Sequence, residues 1–275
     1  MKNSHQIYLI SDSTGETINR IFMALKAQFV NFEYELNQFS FTRTENQILN
    51  ILEQAKKAEN SIILYTIVNS KLAKFLADQS QKKNIPCFGV LGDLIINFSK
   101  TLNQKASHEP SGQHILNEEY YDRIEAVQFT MNHDDGNQIG DIEKSDIILL
   151  GVSRTSKTPT SIYLANRGYK TSNIPLVNEN SIPDKILKKN FSPCIVGLVT
   201  EAERLYDIRK NRLTSIKEDK NTEYTNIDEI RYELENSKKI FKNNRWPTID
   251  VTRKSVEETA ASIIKIYEIK NKKNG

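Results

Sequence analysis

Apolar and polar positions run along the chain in two rhythms. Residues 61–68 (SIILYTIV) are almost continuously apolar, as expected of a parallel strand covered on both faces. Shorter apolar runs at 7–10 and 147–150 read the same way. Further strands are predicted at 32–41, 85–90, 173–177, 194–199 and 248–251. Between them apolar residues recur at helical spacing. Ile18, Ile21, Phe22, Leu25 and Phe29 share one face, as do Ile48, Ile51, Leu52 and Ala55. Helices are also expected near 71–79, 94–102, 120–131, 161–165, 201–213, 227–243 and 255–269. In the 120–131 helix, Tyr121, Ile124, Val127 and Phe129 are available for packing.

Strand and helix alternate throughout, which predicts α/β architecture with parallel sheets and helices on their faces. Residues 103–114 (NQKASHEPSGQH) lack an apolar period and carry Pro110 and Gly112, so the chain should change domain there. The expectation is an N-terminal parallel α/β domain over 1–104 and a connecting segment over 105–145 with a helix and an HDDG turn. A P-loop, kinase-like α/β domain over 146–275 follows. No internal repeat is visible, although both halves are built in βαβ style. Residues 270–275, rich in Lys and Asn, should fray.

Composition narrows the class. The 275 residues are 38% hydrophobic and 27% charged, with a net charge of +3. That describes a soluble globular chain. The mild excess of cations suits phosphates or an acidic partner and gives no case for nucleic acid. No apolar run is long enough to span a bilayer, and residues 1–6 lack the apolar stretch of a signal peptide. Cys87 and Cys194 have no metal-type spacing; two reduced thiols in a cytoplasmic protein are expected.

The chemistry concentrates in residues 151–158, Gly151-Val152-Ser153-Arg154-Thr155-Ser156-Lys157-Thr158. A P-loop needs a turn whose backbone N–H groups surround phosphate oxygens. It also needs a lysine for the outer phosphates and a hydroxyl for Mg²⁺. Gly151, Lys157 and Thr158 fill the G-x-x-x-x-G-K-[ST] pattern, with Thr158 as the metal-side hydroxyl. Ser156 replaces the second glycine and must either adopt, at some cost, a backbone conformation that favours glycine or tighten the loop differently. An apolar strand before the loop and a helix after it, ending near Gly168, supply the context, and the helix N-terminus adds its own field. The competing reading is a tight strand-to-helix turn with a surface lysine.

Three other groups are candidates for related chemistry. His133-Asp134-Asp135-Gly136 offers carboxylates for Mg²⁺ or for a base near an acceptor hydroxyl; an Asp-Asp-Gly turn after a helix is the plainer alternative. Arg204, Arg209 and Arg212 lie on or near one helix, with Arg209 and Arg212 on a shared face able to clamp phosphoryl charge. A solvated face is the alternative there. At the first βα turn, Ser11, Ser13, Thr14 and Gly15, with Arg43, are positioned to hold a second phosphate. Ser13-x-x-Glu16 also reads as a capping box. Asp250 and Thr252 are expected to cap the helix that starts near Ser255.

These segments together resemble one family. SDSTGET (11–17), RIEA (123–126), HDDG (133–136), GVSRTSKTP (151–159), SIYLA (161–165), NIPLV (173–177), IDVT (249–252) and EETA (257–260) match it in order and spacing almost end to end. The family is that of pyruvate, phosphate dikinase regulatory proteins and the related phosphoenolpyruvate synthase regulatory proteins. Serine in place of the P-loop glycine is the family's own form.

The resemblance implies a bifunctional cytoplasmic enzyme. It would phosphorylate a threonine of pyruvate, phosphate dikinase with ADP as donor. It would remove that phosphate with inorganic phosphate, releasing pyrophosphate. Residues 151–158 would be the ADP-binding loop; on the residues' own chemistry, Lys157, Asp134, Asp135 and His133 are the candidate catalytic group. The synthase as target, an ATP-using P-loop small-molecule kinase and a nucleotide sensor without chemistry remain as alternatives. A homodimer is left open.

Overall fold

The computed structural model describes residues 4–112, 118–176, 181–188, 191–216 and 223–274. The chain forms two compact units, Met1–Ile115 and Leu116–Gly275.

The first unit contains β1 (His5–Ser11), α1 (Glu16–Lys26), β2 (Tyr34–Phe39), α2 (Glu45–Lys57), β3 (Ser61–Thr66), α3 (Ser70–Lys82), β4 (Cys87–Gly89) and α4 (Gly92–Leu102). Its sheet is parallel, in the order β2-β1-β3-β4. β1 reads as a continuous apolar run because both its faces are covered. Tyr8 and Ile10 join Ile51, Leu52 and Leu76 on one side, and Ile7 and Leu9 meet Ile18 and Phe22 on the other. Each such side chain contributes about 1.5–3 kcal/mol by leaving water. Thr44 starts α2 with a full capping box shared with Gln47.

The second unit contains α5 (Glu118–Asn132), β5 (Ile147–Gly151), α6 (Lys157–Ala165), β6 (Thr171–Pro175), β7 (Cys194–Val199), α7 (Ala202–Ile216), α8 (Ile227–Asn243), β8 (Thr248–Asp250) and α9 (Val256–Asn274). Its parallel sheet runs β6-β5-β7-β8. The layering repeats, with Ile148, Leu150 and Phe241 on one side and Ile147, Leu149, Leu164 and Ile263 on the other. Gly197 is required by this packing, since a Cβ there would lie 2.5 Å from the Phe241 ring. The α/β class with parallel sheets is as the sequence predicts.

Several local expectations fail for identifiable reasons. Ser13 does not cap α1. The cap is Gly15, in the left-handed region at φ 85° with no side-chain cap bond, while the Ser13 hydroxyl pairs with Ser111 at 2.9 Å. The buried face of α5 is Ala126 and Thr130, whereas Tyr121 and Ile124 are exposed. Small residues face inward there because α5 lies close against α6 and β6.

Ser255 and Glu258, not Asp250 and Thr252, cap α9 by reciprocal bonds of 2.8 and 3.1 Å. Thr252 instead accepts from the Glu201 backbone at 3.0 Å. The tail stays helical to Asn274, helped by Lys270, whose ammonium donates to the Ser192 and Pro193 carbonyls at 2.6 and 2.7 Å. Residues 104–112 belong to the first unit, where His108 bonds the Val68 carbonyl at 2.8 Å. Val177, the predicted end of β6, and residues 113–114 lie outside the described residues. Among the described residues no helix is long and apolar enough to cross a membrane.

Candidate functional site

The 151–158 loop joins β5 to α6. It begins at Gly151 because nothing larger fits: a Cβ would sit 2.6 Å from Thr155 Oγ1 and 2.8 Å from the Leu198 carbonyl oxygen. Thr155 is buried and donates to the Val152 carbonyl at 2.9 Å, tying the loop to itself. Two non-glycine residues take left-handed backbone, Arg154 at φ 74° and Ser156 at φ 60°. Ser156 therefore adopts the conformation that the replaced glycine would favour, at a cost of about 1–2 kcal/mol. It is the N-cap of α6 and gives no side-chain cap bond, so the first N–H groups of the helix are not taken by their own cap.

Lys157 follows at the first helical position. It is 6% exposed, and its ammonium donates to the Val152 carbonyl at 3.0 Å. Burial pulls its pKa down from 10.5 to about 8; Asp135 and then Asp134 hold it up, while Arg154 and Arg209 lower it further. A lysine kept in so dry a place is poised to meet an anion that enters with it.

The His133–Gly136 turn comes to the same loop. Asp134 accepts from the Thr158 hydroxyl at 3.0 Å and from the Asn173 carboxamide. Asn173 also accepts from the Asp135 backbone N–H at 3.0 Å. Asp135 is itself left-handed, at φ 56° and ψ 35°, and exposed. Its carboxylate has no hydrogen-bond partner among the described residues.

His133 is 2% exposed. Its Nδ1 meets the Phe129 carbonyl and its Nε2 meets Asp141, both at 2.8 Å. His133 lowers the pKa of Asp141. With one ring nitrogen bonded to the Phe129 carbonyl and the other to Asp141, His133 anchors the turn.

The arginines separate. Arg209 is 1% exposed. It pairs with Glu233 at 2.6 and 3.1 Å, reaches the Ser153 carbonyl at 3.4 Å and lies 4.5 Å from the Tyr224 ring centroid. It braces the loop from behind. Arg212, expected on the same face, is exposed, as is Arg204. Tyr224 takes a place the sequence did not announce: its hydroxyl receives Arg154 Nε at 3.2 Å and meets Ser153 Oγ at 3.4 Å.

The β1–α1 turn of the first unit is a separate polar hollow. A cavity of about 260 Å³ is lined by Ser11, Ser13, Thr14, Gly15 and Ser111, together with the acidic Asp12, Glu16 and Glu109. Asp12 is buried and accepts from the Val68 N–H at 2.8 Å. Arg43 donates to the Asp12 carbonyl at 2.9 Å and reaches Ser111 at 3.5 Å.

Sequence reasoning brought together Lys157, Thr158, Asp134 and Asp135. It missed Asn173, which stands in β6 beside the equally polar Thr171 and Ser172 and carried no distinct signal. Tyr224, Glu233 and Asp141 carried none.

The family model described as "Kinase/pyrophosphorylase" matches residues 7–264. A provisionally named pyruvate, phosphate dikinase regulatory protein of Pelagibacter ubique is 68% identical over 275 residues, covering 100% of both chains. A like-named protein of Sphingopyxis alaskensis is 43% identical over 95% of this chain and 96% of its own. One from a Wolbachia of Brugia malayi is 43% identical with the same coverage. With a family model and relatives of this identity spanning nearly the whole length, the chain belongs to the kinase/pyrophosphorylase family.

Proposed function

We propose that this chain is a P-loop phosphotransferase acting on pyruvate, phosphate dikinase in both directions. In one, a threonine Oγ attacks the β-phosphorus of ADP, the P–O bond to AMP breaks, and the threonine proton passes to a carboxylate. In the other, inorganic phosphate attacks the phosphothreonine phosphorus, the bond to Oγ breaks, and pyrophosphate leaves as the threonine regains a proton. The dikinase as target is supported by the names of the relatives, and the phosphotransferase class by the family.

The observation that carries the chemistry is the convergence of a buried lysine, a free helix N-terminus and two aspartates on one loop. Lys157 is placed to neutralise charge on the transferred phosphoryl group. Both reactions exchange phosphoryl with the same threonine, so one pocket serves both. Asp135 is the better base, because its carboxylate is exposed and uncommitted. Asp134, already bonded to Thr158, is the metal-side carboxylate. These oxygen donors fit Mg²⁺, which takes one or two carboxylates with phosphates and water and would neutralise phosphate charge there. The thiols Cys87 and Cys194, both free, suit work in the cytoplasm.

The test is to incubate the protein with purified dikinase or phosphoenolpyruvate synthase and either ADP or ATP, and to map phosphate by mass spectrometry. Phosphate on a dikinase threonine from ADP is expected. Transfer to the synthase alone, or from ATP alone, moves the reading to those alternatives. No transfer from either nucleotide to either protein contradicts it.

A further inference from the structure

We infer that Asn173 is the positioning residue of this site, the group whose carboxamide sets where both aspartates stand. The inference rests on the proposed phosphoryl transfer.

Asn173 lies in β6 between Ser172 and Ile174 and is 1% exposed. A carboxamide placed there costs free energy unless its bonds are made. They are made to the residues that carry the chemistry. The Nδ2 group donates to Asp134 Oδ1 and lies 3.4 Å from Ser161 Oγ of α6. The Oδ1 atom accepts from the Asp135 N–H at 3.0 Å, and the Asn173 backbone N–H donates to the His133 carbonyl at 3.2 Å. These partners also fix which way the amide faces, since a backbone N–H requires the oxygen and a carboxylate requires the nitrogen.

The two aspartates are held differently. Asp134 is gripped by its side chain, between Asn173 and Thr158. Asp135 is gripped by its backbone and left free at its carboxylate. Its φ of 56° is a conformation that a non-glycine residue keeps only when neighbours hold it. Asn173 supplies that hold. A single carboxamide thus fixes one carboxylate directly and aims the other through the main chain.

The test compares wild type, Asn173→Ala, Asn173→Ser, Asp135→Ala and the Asn173→Ala/Asp135→Ala double variant. kcat is measured for ADP-dependent transfer to purified dikinase, and the Kd for ADP by calorimetry. Either Asn173 variant should lower kcat by about 10²-fold, the low end of what general-base catalysis supplies. The ADP Kd should stay within about threefold. The double variant should lose less than the product of the two single losses, because residues acting as a unit are not additive.

Asn173→Ser keeps the test available should the alanine variant not fold. kcat within about threefold of wild type, or ADP affinity falling as far as kcat, would overturn the inference. So would losses that multiply in the double variant. A wild type without transfer overturns the parent reading and this inference together, and is told apart by that control.

Discussion

The first βα connection of each unit occupies the same place in the same sheet order, yet the two differ in charge. β1 and β5 are both inner strands of a 2-1-3-4 type parallel sheet. Each leads into a turn and then a helix, through Thr14-Gly15-Glu16-Thr17 in one and Thr155-Ser156-Lys157-Thr158 in the other. The second residue of each quartet is a left-handed N-cap, at φ 85° for Gly15 and 60° for Ser156. The next residue begins the helix. In the first unit it is Glu16, exposed and paired with Arg20 at 2.7 Å. In the second it is Lys157, buried among aspartates. One backbone device therefore carries opposite charges, and only the second suits a polyphosphate. On the proposed reading it is the buried cation, and not the loop shape, that makes the second turn a phosphoryl-transfer site.

The largest effect should come from erasing that cation. Lys157→Met is expected to lower both transfer to threonine and phosphate-dependent removal by about 10³-fold or more. Full phosphorylase activity in this variant would show that the reactions do not share a pocket. The same variant should be more stable than wild type at pH 7. Lys157 titrates near 8 when folded and near 10.5 when unfolded. Between those values the unfolded chain binds the extra proton, so wild-type stability rises with pH across that window. Below it the burial penalty stands in full, on the order of 3 kcal/mol. Urea unfolding at pH 7 and 10 checks this: the rise should be present in wild type and missing in Lys157→Met.

Nucleotide affinity should follow the same titration with the opposite sign. ADP binding, read by calorimetry, should be flat up to about pH 7.5 and weaken toward tenfold per unit above about 8, as the ammonium loses its proton. A flat profile to pH 9.5 would place the phosphate contact elsewhere.

The backbone half of the comparison predicts smaller effects. Ser156→Gly relieves left-handed strain and should stabilise the protein by about 1 kcal/mol. Gly15→Ala introduces that strain and puts a Cβ 3.0 Å from Ser40 Oγ, so it should destabilise by about 1–2 kcal/mol. Chemical denaturation of both variants sharpens the parallel, and equal signs would break it.

Much of the fold was legible because buried parallel strands leave apolar runs and amphipathic helices leave a period. Ser156 was half legible: standing where a glycine is needed, it had either to take a left-handed φ or to tighten the loop differently, and it takes the first. What stayed hidden depends on partners distant in sequence. Ser13 offered a cap to Glu16 but found Ser111. Arg209 and Arg212 share a spacing but not a fate, because Glu233 of α8 holds one in a buried pair and no described residue draws in the other. The common strand order was invisible for a similar reason: sheet order is a property of pairing, and the two units share little beyond the quartet at the turn. Asn173 looked like one polar residue in a short strand, and only its four bonds reveal its place.

The most direct measurement follows label from ADP carrying ³²P in the β position to the dikinase threonine, comparing wild type, Lys157→Met and Glu16→Gln. Transfer should be abolished by Lys157→Met and stay within about twofold of wild type in Glu16→Gln, whose lost exposed ion pair is worth little. Labelled threonine at the wild-type rate from Lys157→Met, or its loss in Glu16→Gln, would contradict the assignment of the chemistry to the second loop.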